Sequence, residues 1–310
     1  MPTVAIIGAG LIGRSWAVVF ARGGWDVRLT DPSADALAAA PRLIRAALDD
    51  LATCQLVKDA GQAAARVSVA RSLPEAVAGV DFVQENGPET LEEKRKIFAE
   101  LDDAAPRDAI LASSTSAIVA SQFTADLPGR ARCLVAHPVN PPHLVPVVEL
   151  CGAPWTSRDV VAKAREVYEG IGQAPITVNR EIDGFVLNRL QVALLSEAFR
   201  LVGEGVVSPA DLDKTLADGL GLRWSFMGPF QTIELNAPGG IPDYCARYAP
   251  FFRRYIADPP GAAVWTDANI DRVVAAWGKR PTPKEIAQRT AWRDRRLTAL
   301  KAHKLSQSDV

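Results

Sequence analysis

A doubly wound α/β domain followed by an all-helical one is the architecture this 310-residue sequence predicts. Three observations lead there. Short apolar runs rich in Val, Ile and Leu alternate with helical stretches over roughly the first 180 residues. A glycine-rich turn separates the first such run from the helical segment after it. From Asp183 onward the alternation stops, and long helical patterns take over. The division is therefore set at residues 1–180 and 181–310, near the segment TVNREIDG.

Each element has a local reason. Val4–Ile7 is a β-rich run, GAGLIG a turn, SWAVVFARG a helix and VRLT a second strand, together the size of one βαβ unit. Residues 33–65, rich in Ala, Leu and Arg, carry apolar spacing suited to one or two helices. RVSVA, DFVQ, AILAS, RCLVA, PVVEL and APITV are further strand candidates. Between them, Ser72 with Glu75 and Thr90 with Glu93 have the spacing of capping boxes that open helices. GFVLNRLQVALLSEAFRLVGEG reads as a long helix apolar on several faces, which predicts deep burial. In SPADLDKTLADGLG, Ser208 caps a helix with Pro209 at its first position, and Gly219 or Gly221 is expected to end it.

Charge and composition narrow the function. A formal net charge of −1 gives no electrostatic reason to expect nucleic acid or an acidic membrane surface. No apolar run approaches the ~20 residues that span a bilayer. The apolar N-terminal stretch lacks the basic residues of a signal peptide, so a cytoplasmic protein is expected. Cys54, Cys133, Cys151 and Cys245 are scattered, without CxxC or a histidine at ligand spacing, so they read as reduced thiols and no metal site is expected.

Gly8-Ala9-Gly10-Leu11-Ile12-Gly13 fits G-x-G-x-x-G after a strand and before a helix. Gly8 permits the tight turn, Gly10 lets backbone approach a pyrophosphate, and Gly13 lets helix and strand pack closely; the helix then offers its free N–H groups to the phosphates. Asp31, at the end of the second strand, would accept hydrogen bonds from ribose hydroxyls and repel a 2′-phosphate, which favours NAD over NADP. FAD shares the fingerprint, and Asp31 could also merely cap the next helix.

The segment GRARCLVAHPVNPPHLVPVVEL holds two of the three histidines and one lone carboxylate among apolar residues, Glu149. A buried unpaired charge is costly, so Glu149 needs a partner. His137, at the end of RCLVA, would satisfy it if PVVEL returns alongside as a neighbouring strand. The pair would fix the imidazole tautomer and leave the other ring nitrogen to take a proton from an alcohol while its carbon gives up hydride. Arg132 is the alternative partner, and His143 the competing base. In the long helix Asn188 shares a stripe with Val192, Leu195 and Phe199, where an amide needs a hydrogen-bond partner.

These motifs, with SSTS at 113–116, HPVNPP at 137–142 and GFVLNRL at 184–190, resemble the 3-hydroxyacyl-CoA dehydrogenase superfamily over nearly the whole chain. SEAFRLVGEGVVSPADLD, GLGLRWSFMGPFQT and IELNAPGG are most similar to its lambda-crystallin branch, of the L-gulonate 3-dehydrogenase type. The resemblance implies a Rossmann-type NAD domain, His137 as general base and Glu149 as its partner. It further implies that Ser116 and Asn188 bond the reacting oxygen, and that Glu89, Lys94, Ser116 and Asn140 lie along the nicotinamide half of the cofactor. A homodimer is implied too. Two departures stand out. Ser114 replaces the Asn of the family's S-N-T-S, and AAWGKRPTPKEIAQRT stands near where fatty-acid enzymes carry a GEGFY-like ending. The second argues against a long acyl-CoA.

Arg223, after GLGL, is a candidate clamp for a free carboxylate. The expected activity is NAD-dependent oxidation of the 3-hydroxyl of a small 3-hydroxy acid such as L-gulonate. The rivals are a carnitine 3-dehydrogenase, a short-chain 3-hydroxyacyl-CoA dehydrogenase and, in a different class, a nucleotide-binding structural protein of the crystallin kind.

Overall fold

The computed structural model describes residues 1–278 and 280–307. The chain divides into two compact units, residues 1–186 with 291–310, and residues 187–290. The expected boundary after residue 180 falls a few residues before this division. Residues 291–307, expected in the second domain, group with the first unit.

In the first unit, β1 (Thr3–Ile7), α1 (Leu11–Arg22) and β2 (Asp26–Thr30) form the opening βαβ. Then follow α2 (Ala34–Thr53), α3 (Ala60–Ala65), β3 (Val67–Val69), α4 (Leu73–Val77), β4 (Phe82–Glu85), α5 (Leu91–Ala104) and β5 (Ile110–Ser113). α6 (Ala120–Thr124), β6 (Cys133–Pro138), β7 (Val147–Gly152), α7 (Arg158–Gly170) and β8 (Ala174–Val178) complete the layer structure. Ser33, Ser72 and Thr90 each accept the N–H three residues on, so the helix starts sit where the cap residues place them.

Among the described residues eight strands form one sheet in the order β3-β2-β1-β4-β5-β6-β7-β8. β3 through β6 are parallel, β7 runs antiparallel to β6, and β8 is parallel to β7. Val4 and Ile6 pack with Trp16, Phe20 and Tyr168 on one face, while Ala5 and Ile7 pack with Phe98 and Leu101 on the other. A parallel sheet covered on both faces needs such near-continuous apolar strands. Strand order reverses between β1 and β4, which opens a crevice at their carboxyl ends, the position where α/β sheets bind ligands.

The second unit holds α8 (Leu187–Gly203), α9 (Pro209–Lys214), α10 (Gly221–Trp224), α11 (Pro229–Glu234), α12 (Gly240–Tyr255) and α13 (Asp267–Trp277). α14 (Pro283–Ser306) begins there, and its residues from Ala291 on belong to the first unit. Two expectations are corrected here. α8 is not deeply buried: among its residues only Val202 is, and Leu190 is 65 % exposed. Periodicity reports an apolar face but not what covers it. Nor do Gly219 and Gly221 end the helix that Ser208 caps. A π-helical segment, Thr215–Leu220, carries it on into α10. A Cβ on Gly221 would lie 2.7 Å from the Leu216 carbonyl oxygen, so glycine serves close packing there rather than termination.

Among the described residues no helix is long and apolar enough to cross a membrane. All four cysteines are free.

Candidate active site

The dinucleotide cradle is built by β1, its turn and α1. Gly8 has φ +101°, in the region that favours glycine, and a Cβ there would meet the Asn86 carbonyl oxygen at 2.7 Å. A Cβ on Gly13 would stand 1.8 Å from the Gly8 oxygen, so that position admits only glycine. Around Gly10 the space is open, with nothing within 4 Å of a built Cβ, and no side chain caps α1. Leu11 and Ile12 form the first turn of α1, whose N–H groups a pyrophosphate would meet. Asp31 closes the cradle: one carboxylate oxygen accepts the Ala9 N–H at 2.6 Å, the other the Ser33 N–H at 2.7 Å. Each oxygen keeps acceptor capacity for a ribose hydroxyl. These residues fit a dinucleotide with a free ribose 2′-hydroxyl.

Further along the carboxyl edge, Glu89 binds the SSTS loop. Its carboxylate accepts the N–H of Ser116 at 2.9 Å and of Ala117 at 3.0 Å, along with the Thr115 hydroxyl. The predicted residues Glu89 and Ser116 are thus joined directly, and Ser116 is exposed. Lys94 is buried; its ammonium donates to both oxygens of Glu85, at 2.8 and 2.9 Å, and to the Gly87 carbonyl at 3.2 Å. It braces the loop after β4 from beneath. Asn140 is exposed and precedes Pro141 through a cis peptide bond.

The centre of the site follows from strand register. The short connection between β6 and β7 forces antiparallel pairing, since parallel neighbours need a long crossover. That register sets His137 directly opposite Glu149. Their side chains meet at 2.7 Å, Nδ1 to Oε2, and both are buried. A carboxylate accepts only, so Nδ1 carries the proton, and in the neutral ring Nε2 is then an acceptor. Arg132 is not the partner of Glu149. Its guanidinium lies 2.9 Å from Asp102 and also donates to the Asp102 and Pro106 carbonyls.

His143 is no base. Its carbonyl accepts from Arg22 at 2.7 Å and from Lys301 at 3.3 Å, and its Nδ1 is buried without a hydrogen-bond partner. Burial first, then the charges of Arg22, Lys301 and Arg293, push the imidazole down to about 4. Asn188, in the first turn of α8, and Arg223, in α10, belong to the second unit, and Arg223 is exposed.

Further residues, to which the sequence assigned no role in the site, hold it together. Ser114 is a hub: its hydroxyl accepts from the Trp16 indole at 2.9 Å and from Gln84 at 2.8 Å, and donates to Asn86 at 2.7 Å. Glu85, fully buried at the end of β4, also takes the Ser113 hydroxyl at 2.6 Å. Unlike Glu149 it is flanked by the polar Gln84 and Asn86, so no lone charge among apolar residues marked it. Phe185 and Val186 carried no signal of that kind. Phe185 is buried with φ +47°, its ring centroid 5.5 Å from that of His137, and the Val186 N–H donates to Glu149 Oε1 at 2.9 Å. A left-handed backbone at an aromatic residue costs about 1–3 kcal/mol and persists only where packing imposes it.

Comparison with known proteins identifies the family. Residues 3–182 match the 3-hydroxyacyl-CoA dehydrogenase NAD binding domain, and residues 184–260 match the C-terminal domain of the same family. The chain is 42 % identical to lambda-crystallin of Oryctolagus cuniculus over 306 residues, covering 96 % of each. It is 36 % identical to L-carnitine dehydrogenase of Pseudomonas aeruginosa over 96 % of this chain and 92 % of that one. Among solved structures, a 5-formyl-3-hydroxy-2-methylpyridine 4-carboxylic acid 5-dehydrogenase, described as an NAD+-dependent dismutase, matches with a TM-score of 0.84 at 28 % identity, covering 99 % of this chain and 100 % of that one. With both of its parts so matched, the chain belongs to the 3-hydroxyacyl-CoA dehydrogenase family, on the lambda-crystallin branch, and is an NAD-dependent dehydrogenase acting on a CH–OH group.

Proposed function

We propose that this dehydrogenase oxidises the 3-hydroxyl of a small free 3-hydroxy acid, with L-gulonate to 3-dehydro-L-gulonate as the leading reaction. The observation that carries the chemistry is the 2.7 Å bond between His137 Nδ1 and Glu149. It leaves Nε2 unprotonated to accept the alcohol proton, and Glu149 stabilises the imidazolium that results. Bound NAD supplies the hydride acceptor. Gly8, Gly10, Leu11, Ile12, Gly13 and Asp31 hold its adenosine and pyrophosphate half. Glu89, Lys94, Ser116 and Asn140 shape the nicotinamide half, Lys94 by bracing the loop from below. Ser116 and Asn188 are assigned the hydrogen bonds to the reacting oxygen, and Arg223 the substrate carboxylate.

The choice of acid rests on kinship with lambda-crystallins and on the departure from the acyl-CoA enzymes' ending. L-Carnitine, itself a free 3-hydroxy acid, is the second reading, because L-carnitine dehydrogenases are also relatives. NADH formation with L-gulonate, L-carnitine and 3-hydroxybutyryl-CoA separates these. The expected result is the highest kcat/KM for L-gulonate. A preference for the thioester overturns the free-acid reading, and NAD binding without turnover of any of the three points to the structural-protein class. Arg223→Met should raise KM for the acid while sparing NAD affinity; unchanged kinetics remove Arg223 from the site.

Free cysteines support a cytoplasmic setting. A homodimer is proposed because the second unit leaves Leu190, Phe226 and Phe230 at 65, 66 and 74 % exposure, and a second copy would cover them. A sedimentation mass of one chain would refute it.

A further inference from the structure

The segment joining β8 to α8 bears on the reactive pair through one turn. The Phe185 N–H donates to the Ile182 carbonyl at 3.1 Å, closing a four-residue turn. Gly184 and Phe185 are both left-handed within it, at φ +76° and +47°. Glycine accepts that conformation readily; a phenylalanine does not. The side chain is what keeps it there. Phe185 has no accessible surface and packs in the cluster that holds Val135, Cys151 and Val178, with Ile182 against it.

Two consequences follow. The ring lies tilted 33° to the imidazole of His137, with centroids 5.5 Å apart, and the next residue turns its N–H to the second oxygen of Glu149. Rotation of a carboxylate or an imidazole about its last torsion is soft, because sp³–sp² torsions have broad wells. A donor on Oε1 therefore fixes which way Oε2 points, and a ring beside the imidazole limits its swing.

We propose that Phe185 is a positioning residue for the oxidation. Its left-handed backbone aims the Val186 N–H at Glu149 while its ring holds the plane of His137, so that one buried side chain orients both members of the pair. This rests on the reading of His137 as the base.

The test uses the full-length enzyme with Phe185→Asn, which tolerates the left-handed backbone but lacks the ring, and Phe185→Leu, which keeps apolar bulk. Both should lower kcat about 10- to 100-fold, the scale of a slight misplacement of a catalytic group, with NAD affinity within about two-fold of wild type. The pH profile of kcat should shift, since a misdirected Glu149 supports the imidazolium less. The far-downfield proton signal expected of the short His137–Glu149 bond should weaken. Unchanged kcat and pH profile in either folded variant overturn the proposal. So does a loss of activity that tracks falling Tm and NAD affinity with the pH profile unmoved. His137→Asn alongside separates the two readings. Turnover that survives it removes the base itself. An inactive His137→Asn beside a fully active Phe185→Asn removes only the role of the turn.

Discussion

The sheet unit and the helical unit use apolar residues in opposite ways. In the first, Val4, Ile6, Trp16, Phe20 and Phe98 lose essentially all accessible surface, because helices cover both faces of one continuous sheet. In the second, Leu190, Val192, Phe226 and Phe230 stay more than half exposed, and among its helices only Val202 and Thr232 are buried. A doubly covered sheet closes its own core. Single helices each bury one stripe, and their other apolar faces wait for a further surface. The polar groups divide the same way. Buried Glu85, Lys94, His137 and Glu149 are paired within the sheet unit, whereas ion pairs of the helical unit such as Lys214–Asp211 are exposed and worth little.

Five substitutions test that contrast. The largest effect is expected at the buried pair: His137→Asn should cut turnover about 10²–10⁴-fold while NAD binding and folding persist, and near-normal turnover would show that this buried polar group serves structure alone. Next comes the core. Phe82→Ala, at 1 % exposure between the sheet and Phe20, should cost about 3–5 kcal/mol in denaturant unfolding. Phe230→Ala in α11 should cost well over the ~0.5 kcal/mol of an ordinary surface substitution and lower the sedimentation mass if a second copy covers its face. A smaller loss with unchanged mass would remove that cover.

A smaller change is expected at the cradle. Asp31→Asn should lower kcat/KM for NAD about 10-fold, the scale of hydrogen bonds to a charged group, and narrow the preference over NADP; an unaltered preference would leave Asp31 as a mere loop tie. The smallest concerns pH. The folded His143 titrates near 4 and the unfolded one near its ordinary value of 6.5, so the unfolded chain binds more protons between them. Stability contributed here is present above about 6.5 and lost as pH falls toward 4. His143→Gln should flatten stability against pH within that window, and an unchanged slope would show that this histidine is not buried neutral.

How much was legible depended on range. Gly8, Gly10, Gly13 and Asp31 were readable because a turn, a helix start and a strand end are local and their steric demands are written in adjacent residues. The caps at Ser72, Thr90 and Ser208 were readable for the same reason. Glu149 announced that it needed a partner but could not say which, since His137 and Arg132 both lay within reach. The extension of the Ser208 helix through Gly219 and the exposure of α8 were misread, because each depends on packing that no residue pattern contains.

The amino-acid order alone determined the alternation of strand and helix, the dinucleotide cradle and the existence of a lone acid in an apolar strand, since these arise from propensity, sterics and desolvation over a few neighbours. Tertiary structure alone decided the register that sets Glu149 opposite His137, that Arg132 belongs to Asp102, and that Phe185 is forced left-handed beside the imidazole. Those outcomes are set by register and by the filling of a common core. Both are properties of elements packed together, and neither exists in any one segment.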